Sequence, residues 1–237
     1  MTWSIVARDA DGAFGVAVAS RFFAVGALCP SARSGIGAVS TQALVNPGYG
    51  PRGLDLLAQG LVAKDAVAQL VAGDVGREHR QLHLIDRAGR CAGHTGALCI
   101  DWCGHRTHEG FSVAGNMLAG PAVLDETARA YQTHASAPFA ERLLAAMAAG
   151  EAAGGDKRGK QAAALLIHTT EIYAFLDLRV DDHPDPIAEL NRLYEVSLER
   201  YQPFVACLPS AGRPAGITDR AAIEAEVERF QAARRQR

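Results

Sequence analysis

No stretch of this sequence reaches the ~20 consecutive apolar residues that cross a bilayer, and residues 1–9 lack a basic segment leading into an apolar one. No membrane partner is therefore expected, and a cytoplasmic location is. Cysteines number five, an odd count that points to thiols rather than a disulfide framework. Charge of one sign is also missing: 24 Lys and Arg oppose 26 Asp and Glu, for a net charge of -2. No basic stripe interleaves with the aromatics, themselves only 6% of the chain, so nucleic acid is not an expected partner. What is present is 237 residues, enough to bury a core without disulfides.

Apolar residues spread evenly from Thr2 to Cys207, so one domain is expected over residues 1–217, followed by a charged, Ala-rich helical tail over 218–237. Two apolar runs, Thr2 to Arg8 and Ala13 to Ser20, flank Asp11-Gly12, a pair suited to a tight hairpin turn. Gly35 to Thr41 reads as a third strand and Asn46 to Gly53 as a loop. Leu54 to Gln59 and Lys64 to Val71 show helical spacing. Strands are expected at Gln81 to Ile85, Arg90 to His94 and Phe111 to Met117, then helices at Pro121 to His134 and Phe139 to Ala149. A last hairpin, Gln161 to His168 with Ile172 to Leu178, precedes one long helix from Pro186 to Ala206.

Tight turns instead of helical crossovers imply antiparallel sheets. Strands such as Gly15 to Ala19 and Ala162 to Ile167 are apolar on both faces, so each sheet needs helices on one side and the other sheet on the other. The expected fold is α+β: a four-layer αββα sandwich of two mostly antiparallel sheets between helix layers.

Thr2 is the most informative position. Its small side chain favours removal of Met1, which leaves a threonine whose own α-amine, titrating near ~8, can serve as the base for its hydroxyl. Thr2 to Asp9, the stretch Gly15 to Gly26, Gly37 to Ala43 running into Asn46 to Gly53, His94-Thr95-Gly96, Gly115 to Leu118, Gly154 to Gly159 and Asp181 to Pro186 together resemble the Ntn-hydrolase-like family of unknown function numbered 1028. The resemblance covers roughly Thr2 to Cys207. It implies the αββα fold and an N-terminal-nucleophile hydrolase acting on an amide or ureido C–N bond of a small molecule or peptide, without a cofactor. Similar sequences often carry serine where this one has Ala162.

Carried onto these positions, Thr2 is the expected nucleophile, Asn116 an oxyanion donor and Arg21 a fixed charge for the amine or a substrate carboxylate. Gln42, His94 and Thr95, within the matching motifs, are expected to contact substrate. Asn46, Tyr49 and Arg52 give the Gly-rich loop a composition suited to gripping a small polar ligand, and Asp156 and Arg158 are expected to face the cleft from a tight loop. A homodimer or higher homo-oligomer is the expected assembly.

Two other readings stay open: a catalytically silent ligand-binding protein on the same scaffold, and a zinc hydrolase using Cys91, His94, Cys99, Cys103, His105 and His108. No Cys-x-x-Cys pair occurs among those six, so no metal is expected. Cys29 is a conceivable alternative nucleophile, and Asp181 to Pro186 is expected to cap the following helix.

Overall fold

The Asp11-Gly12 turn joins β1 (Thr2–Arg8) to β2 (Phe14–Ser20) in the computed structural model, which describes residues 2–236. Gly12 adopts φ 87°, the conformation for which that residue pair is suited. The third strand becomes two: β3 (Pro30–Arg33) and β4 (Gly37–Ala43), turning at Ser34 to Ile36. β3 escapes sequence patterning because it is only four residues long and opens with a proline, which an edge position tolerates.

Helix α1 (Tyr49–Ala58) starts inside the segment expected to be a loop. Gly50, Pro51 and Gly53 depress its helix propensity, but Pro51 sits in the first turn, where its missing N–H costs nothing. Gly50 is required by contact, since a Cβ there would lie 2.1 Å from Ser31 Oγ. Next come α2 (Ala63–Ala72), β5 (Arg80–Asp86), β6 (Cys91–Thr95), β7 (Trp102–His108) and β8 (Phe111–Leu118). The polar, half-exposed β7 is absent from the strands expected from the sequence; it is an edge strand, where polar side chains are favoured.

Helices α3 (Ala122–Thr133) and α4 (Phe139–Ala152) lead to β9 (Ala162–His168) and β10 (Leu176–Val180). The connection between these strands is longer than expected, with Ile172 exposed in it.

All strand pairs are antiparallel, in a six-stranded sheet of order β10-β9-β2-β1-β8-β7 and a four-stranded sheet of order β3-β4-β5-β6. Helices α1 and α2 pack on the smaller sheet and α3 and α4 on the larger, and the sheets face each other through β1, β4, β5 and β8. This is the four-layer αββα sandwich expected from the strand and helix pattern.

Alternation along the strands divides the residues cleanly. Val39, Leu82 and Leu84 pack with Leu54, Leu57 and Leu70 beneath the helices, while Val6, Val16, Ala38 and Ile85 meet between the sheets. Toward the other end of the same inter-sheet layer the facing residues are polar: Thr2, Ser4, Gln42, Gln81, His83, Ser112 and Asn116, all buried.

These elements form one compact unit ending at Leu190; a second begins at Asn191. The long helix expected from Pro186 to Ala206 is two helices, α5 (Pro186–Ser197) and α6 (Tyr201–Val205). Pro203 has no N–H and would clash with the preceding turn, so a helix containing it must begin just before it. Ser197 Oγ also donates to Tyr194 O at 2.6 Å. Helix α7 (Arg220–Arg235) is capped by Asp219 and buries none of its residues. In this second unit Arg200 pairs with Glu224 at 2.6 Å and Gln231 Nε2 donates to Leu198 O at 2.7 Å.

The closeness of β4 and β5 is testable. A Cβ at Gly37 would lie 2.3 Å from Ile85 O, whereas Gly120 has open space around it. Gly37→Ala should lower the urea-unfolding free energy by about 1–3 kcal/mol, and Gly120→Ala should change it by less than about 1 kcal/mol.

Candidate active site

Gln81 sits where the two sheets meet, with its side chain fully buried. Its Nε2 lies 3.0 Å from Gly104 O and 2.9 Å from Gly115 O, carbonyls that can only accept. The Oε1 must therefore face the other way, and Gln42 Nε2 and Asn116 Nδ2 donate to it at 2.8 and 3.1 Å. With those nitrogens fixed, both amides also reach the carbonyl oxygen of Thr2, at 3.3 and 3.4 Å. The main chain of Thr2 is thus held by two side chains from two sheets.

The polarity propagates further. Gln42 Oε1 accepts from Ser4 Oγ at 2.7 Å. That donation uses the only proton of Ser4, so His83 Nε2, 2.8 Å away, must donate to Ser4 Oγ. His83 Nδ1 then accepts from Ser112 Oγ at 3.1 Å. The imidazole is neutral in a single tautomer, its pKa pushed down to about 3 by burial and, secondarily, by His105.

Asn116 is aimed by a register shift: Gly104 pairs with Gly115 but Trp102 with Leu118, which makes Asn116 and Met117 a bulge on β8. Met117 accordingly has φ 52°, and at the end of β4 Ala43, after Gln42, has φ 69°.

Above this network lies a cavity of about 360 Å³ bordered by Thr2, Gln42, Ala43, Asn116 and Met117, by Cys29, His79, Cys99 and Arg158, and by a wall of Phe22, Val25, Leu28, Leu44, Val45, Leu98 and Ile100. Thr2, 6% exposed, donates through Oγ1 to Ser20 Oγ at 3.1 Å. Leu44 N–H bonds to His79 O, so ladder alternation points the Ala43 N–H away from β5. Among the described residues no carboxylate borders the cavity.

A family model described as a family of unknown function, DUF1028, matches residues 2–190. The chain belongs to the DUF1028 family. It is 32% identical to protein SPO2555 from Silicibacter pomeroyi, a DUF1028 crystal structure, over 92% of this chain and 99% of that one, with a TM-score of 0.84. Anbu (ancestral beta-subunit) from Yersinia bercovieri aligns at 12% identity over 88% of this chain and 98% of that one, with a TM-score of 0.38, too slight a likeness to bear on the site. No curated protein matches. The DUF1028 match stops where the first compact unit does.

Within the DUF1028 unit, Thr2, Gln42, Asn116 and Arg158 come together at the cavity, and the other expected residues stand apart from it. Asn46 Nδ2 and Tyr49 Oη donate to Asp74 at 3.1 and 2.7 Å, and Arg80 Nε joins them at 3.2 Å. They fasten the start of α1, and none of them borders the cavity. The Tyr49 bond heads the causes that hold the Asp74 carboxyl well below the usual range. Arg52 is exposed on α1.

Arg21 donates from its guanidinium to Arg158 O at 3.1 Å and from its backbone N–H to Asp156 at 2.8 Å, so Asp156 is a loop anchor buried beneath the chain. His94 Nε2 donates to Arg77 O at 2.9 Å, and Thr95 Oγ1 bridges Gln81 and His105 beneath the cavity. Met1, whose removal the nucleophile reading assumes, lies outside the described residues.

The six cysteines and histidines of the zinc reading diverge. Cys91, Cys99 and Cys103 point to the separate carbonyls of Gly89, Arg80 and Cys99, and His108 stacks on Phe111 at 4.4 Å. Among the described residues no three His, Cys, Asp or Glu side chains gather as a metal site. Burial raises the thiol of Cys29 to about 12, which keeps it protonated and a poor nucleophile. The carboxylates near Pro186 are ion-paired, Asp181 with Arg179 and Asp185 with Lys160.

Ser4, Ser20, Gln81, His83 and Ser112 were missed by sequence reasoning. A signal existed for two of them: Gln81 and His83 place polar groups at alternate positions of an otherwise apolar strand.

Buried His83 makes stability depend on pH. Unfolded, it takes up a proton near 6.5; folded, only near 3. Its contribution is therefore complete above about pH 6.5 and drains as pH falls toward 3, by up to about 1.4 kcal/mol per pH unit. Urea titrations from pH 7 to 4 should show a shallower loss in His83→Gln than in wild type; identical slopes would rule out the neutral imidazole.

Proposed function

We propose that this protein is an N-terminal-nucleophile amidohydrolase that cleaves a C–N bond through an ester on Thr2. The observation that carries this reading is the placement of Thr2, a buried hydroxyl on the first residue of a central strand, facing a cavity while its own carbonyl is clamped by Gln42 and Asn116. Position of this kind is what a nucleophile needs, because effective concentration depends on geometry being fixed before reaction.

With Met1 removed, the Thr2 α-amine takes the hydroxyl proton, directly or through a water, as Oγ1 bonds to the substrate carbonyl carbon. The resulting ammonium returns that proton to the leaving nitrogen as the C–N bond breaks. Water, deprotonated by the same amine, then attacks the ester; the acid departs and Oγ1 regains its proton.

Asn116 was expected to donate to the oxyanion. Both hydrogens of its amide are engaged, with Thr2 O and Gln81 Oε1, so its part in this mechanism is to position Thr2. The donor role suits the Ala43 N–H, turned out of the ladder at the cavity edge. Arg21 donates to Arg158 O and does not border the cavity, so no step is assigned to it.

Intact mass of the purified protein should show loss of Met1, and an electrophile selective for N-terminal threonine should label one residue. Against a panel of amides, Thr2→Ala should lose at least about 10³-fold in kcat, while Thr2→Ser keeps measurable turnover. Retained Met1 with neither labelling nor turnover would leave the silent ligand-binding reading in its place.

A further inference from the structure

The walls of the cavity identify the group it holds. Val25 and Cys29 are buried along its side, and Phe22, Leu44, Leu98 and Ile100 line it although 51%, 62%, 55% and 60% of their surface remains exposed. Large apolar side chains left this open around a concave site are a mark of ligand contact rather than of core packing. The polar groups inside tell the same story by being occupied. The Gln42 and Asn116 amide nitrogens each donate to Thr2 O and to Gln81 Oε1, and Gln42 Oε1 accepts from Ser4. A ureido or carbamoyl group bound here would bring two or more N–H donors to a wall that offers them few acceptors, and would lose hydration without replacement.

We infer that the substrate is an N-acyl amine whose acyl group is a medium-length hydrocarbon chain, seated against Val25, Leu28, Leu98 and Ile100. This rests on the acyl-transfer reading above, and it separates the two halves of the substrate. The amine must leave so that water can take its place, so it lies toward solvent, beside the exposed His79 and Arg158 that border the cavity. The acyl chain stays bound through both steps and takes the apolar wall. An apolar cavity of about 150 Å³ accommodates one benzene; at about 360 Å³ this one takes roughly twice that or a little more, a chain of about eight to twelve carbons.

The test uses N-acylglycines from acetyl to tetradecanoyl. Calorimetric binding to the Thr2→Ala protein, which lacks the nucleophile, reads the cavity alone. Affinity should rise about three- to four-fold per added methylene, the equivalent of ~0.8 kcal/mol each, and level off near eight to twelve carbons. Leu98→Ser with Ile100→Ser, both at exposed positions, should lower decanoyl affinity at least about ten-fold without shifting the melting temperature. In the wild-type protein kcat/KM should climb along the acyl series and stay nearly flat when the amine is varied under a fixed decanoyl chain.

Affinity that is flat or falls with chain length, or tighter binding of N-carbamoylglycine than of N-decanoylglycine, overturns the inference. So does a rate that follows the amine side alone. Affinity that climbs with chain length while wild type releases no glycine leaves the hydrocarbon-binding cavity standing and removes the nucleophile reading, so the two fail separately.

Discussion

Two backbone carbonyls, Gly104 O and Gly115 O, determine the polarity of the centre of this molecule. Neither can donate, so the Gln81 amide between them has one permitted orientation, and each side chain bonded to it inherits a role: Gln42 and Asn116 as donors, Ser4 as donor to Gln42, His83 as donor to Ser4. A buried polar network is favourable only when its members are satisfied together, and here the satisfied arrangement ends on the carbonyl of Thr2. The inter-sheet layer thereby does two jobs along its length. Val6, Val16, Ala38 and Ile85 supply apolar cohesion at one end, and the amide network supplies position at the other.

Much of the sandwich was legible in the chain because its signals are local and repeated: Asp11-Gly12 between apolar runs, Pro121 at a helix start, alternating polar and apolar residues from Gln81 to Leu84 in β5. What failed did so for identifiable reasons. β3 and β7 are edge strands, and an edge strand sheds the apolar periodicity that reveals a central one. The α1 start was hidden because Gly50 answers to Ser31, a contact made across the fold. Pro203 was a local signal passed over when its helix was read as continuous.

The site was legible only in part, and along the same line. Thr2, Gln42, Asn116 and Arg158 stand in distinctive motifs and do meet at the cavity. Asn46, Tyr49 and Arg52 have ligand-binding composition, yet Asn46 and Tyr49 converge on Asp74. Composition cannot separate those uses, because an amide and a phenol serve a carboxylate of the protein as well as they serve a ligand. Gln81 illustrates the opposite error. Its alternation with His83 marks only a polar face of the strand, and its importance comes from two glycine carbonyls more than twenty residues away that the fold brings to it.

The backbone around the cavity shows what this positioning requires. The described residues other than glycine that adopt positive φ are Ala24, Ala43, Asp101 and Met117; two border the cavity and the other two adjoin Val25 and Ile100, which do. Such conformations cost about 1–3 kcal/mol each and persist where neighbouring bonds over-determine them. Those bonds are present: Ala24 N–H to Asp181 O, Leu44 N–H to His79 O, Met117 N–H to Ile100 O and Arg80 to Leu44 O. Ala43 and Met117 directly follow Gln42 and Asn116, so the same left-handed steps that end β4 and bulge β8 turn those amides onto Thr2. Glycine would relieve the strain at either position and would also free the turn. Alanine and methionine disfavour that conformation, so it is the neighbouring hydrogen bonds that hold each turn in one form and keep the clamp on Thr2 set.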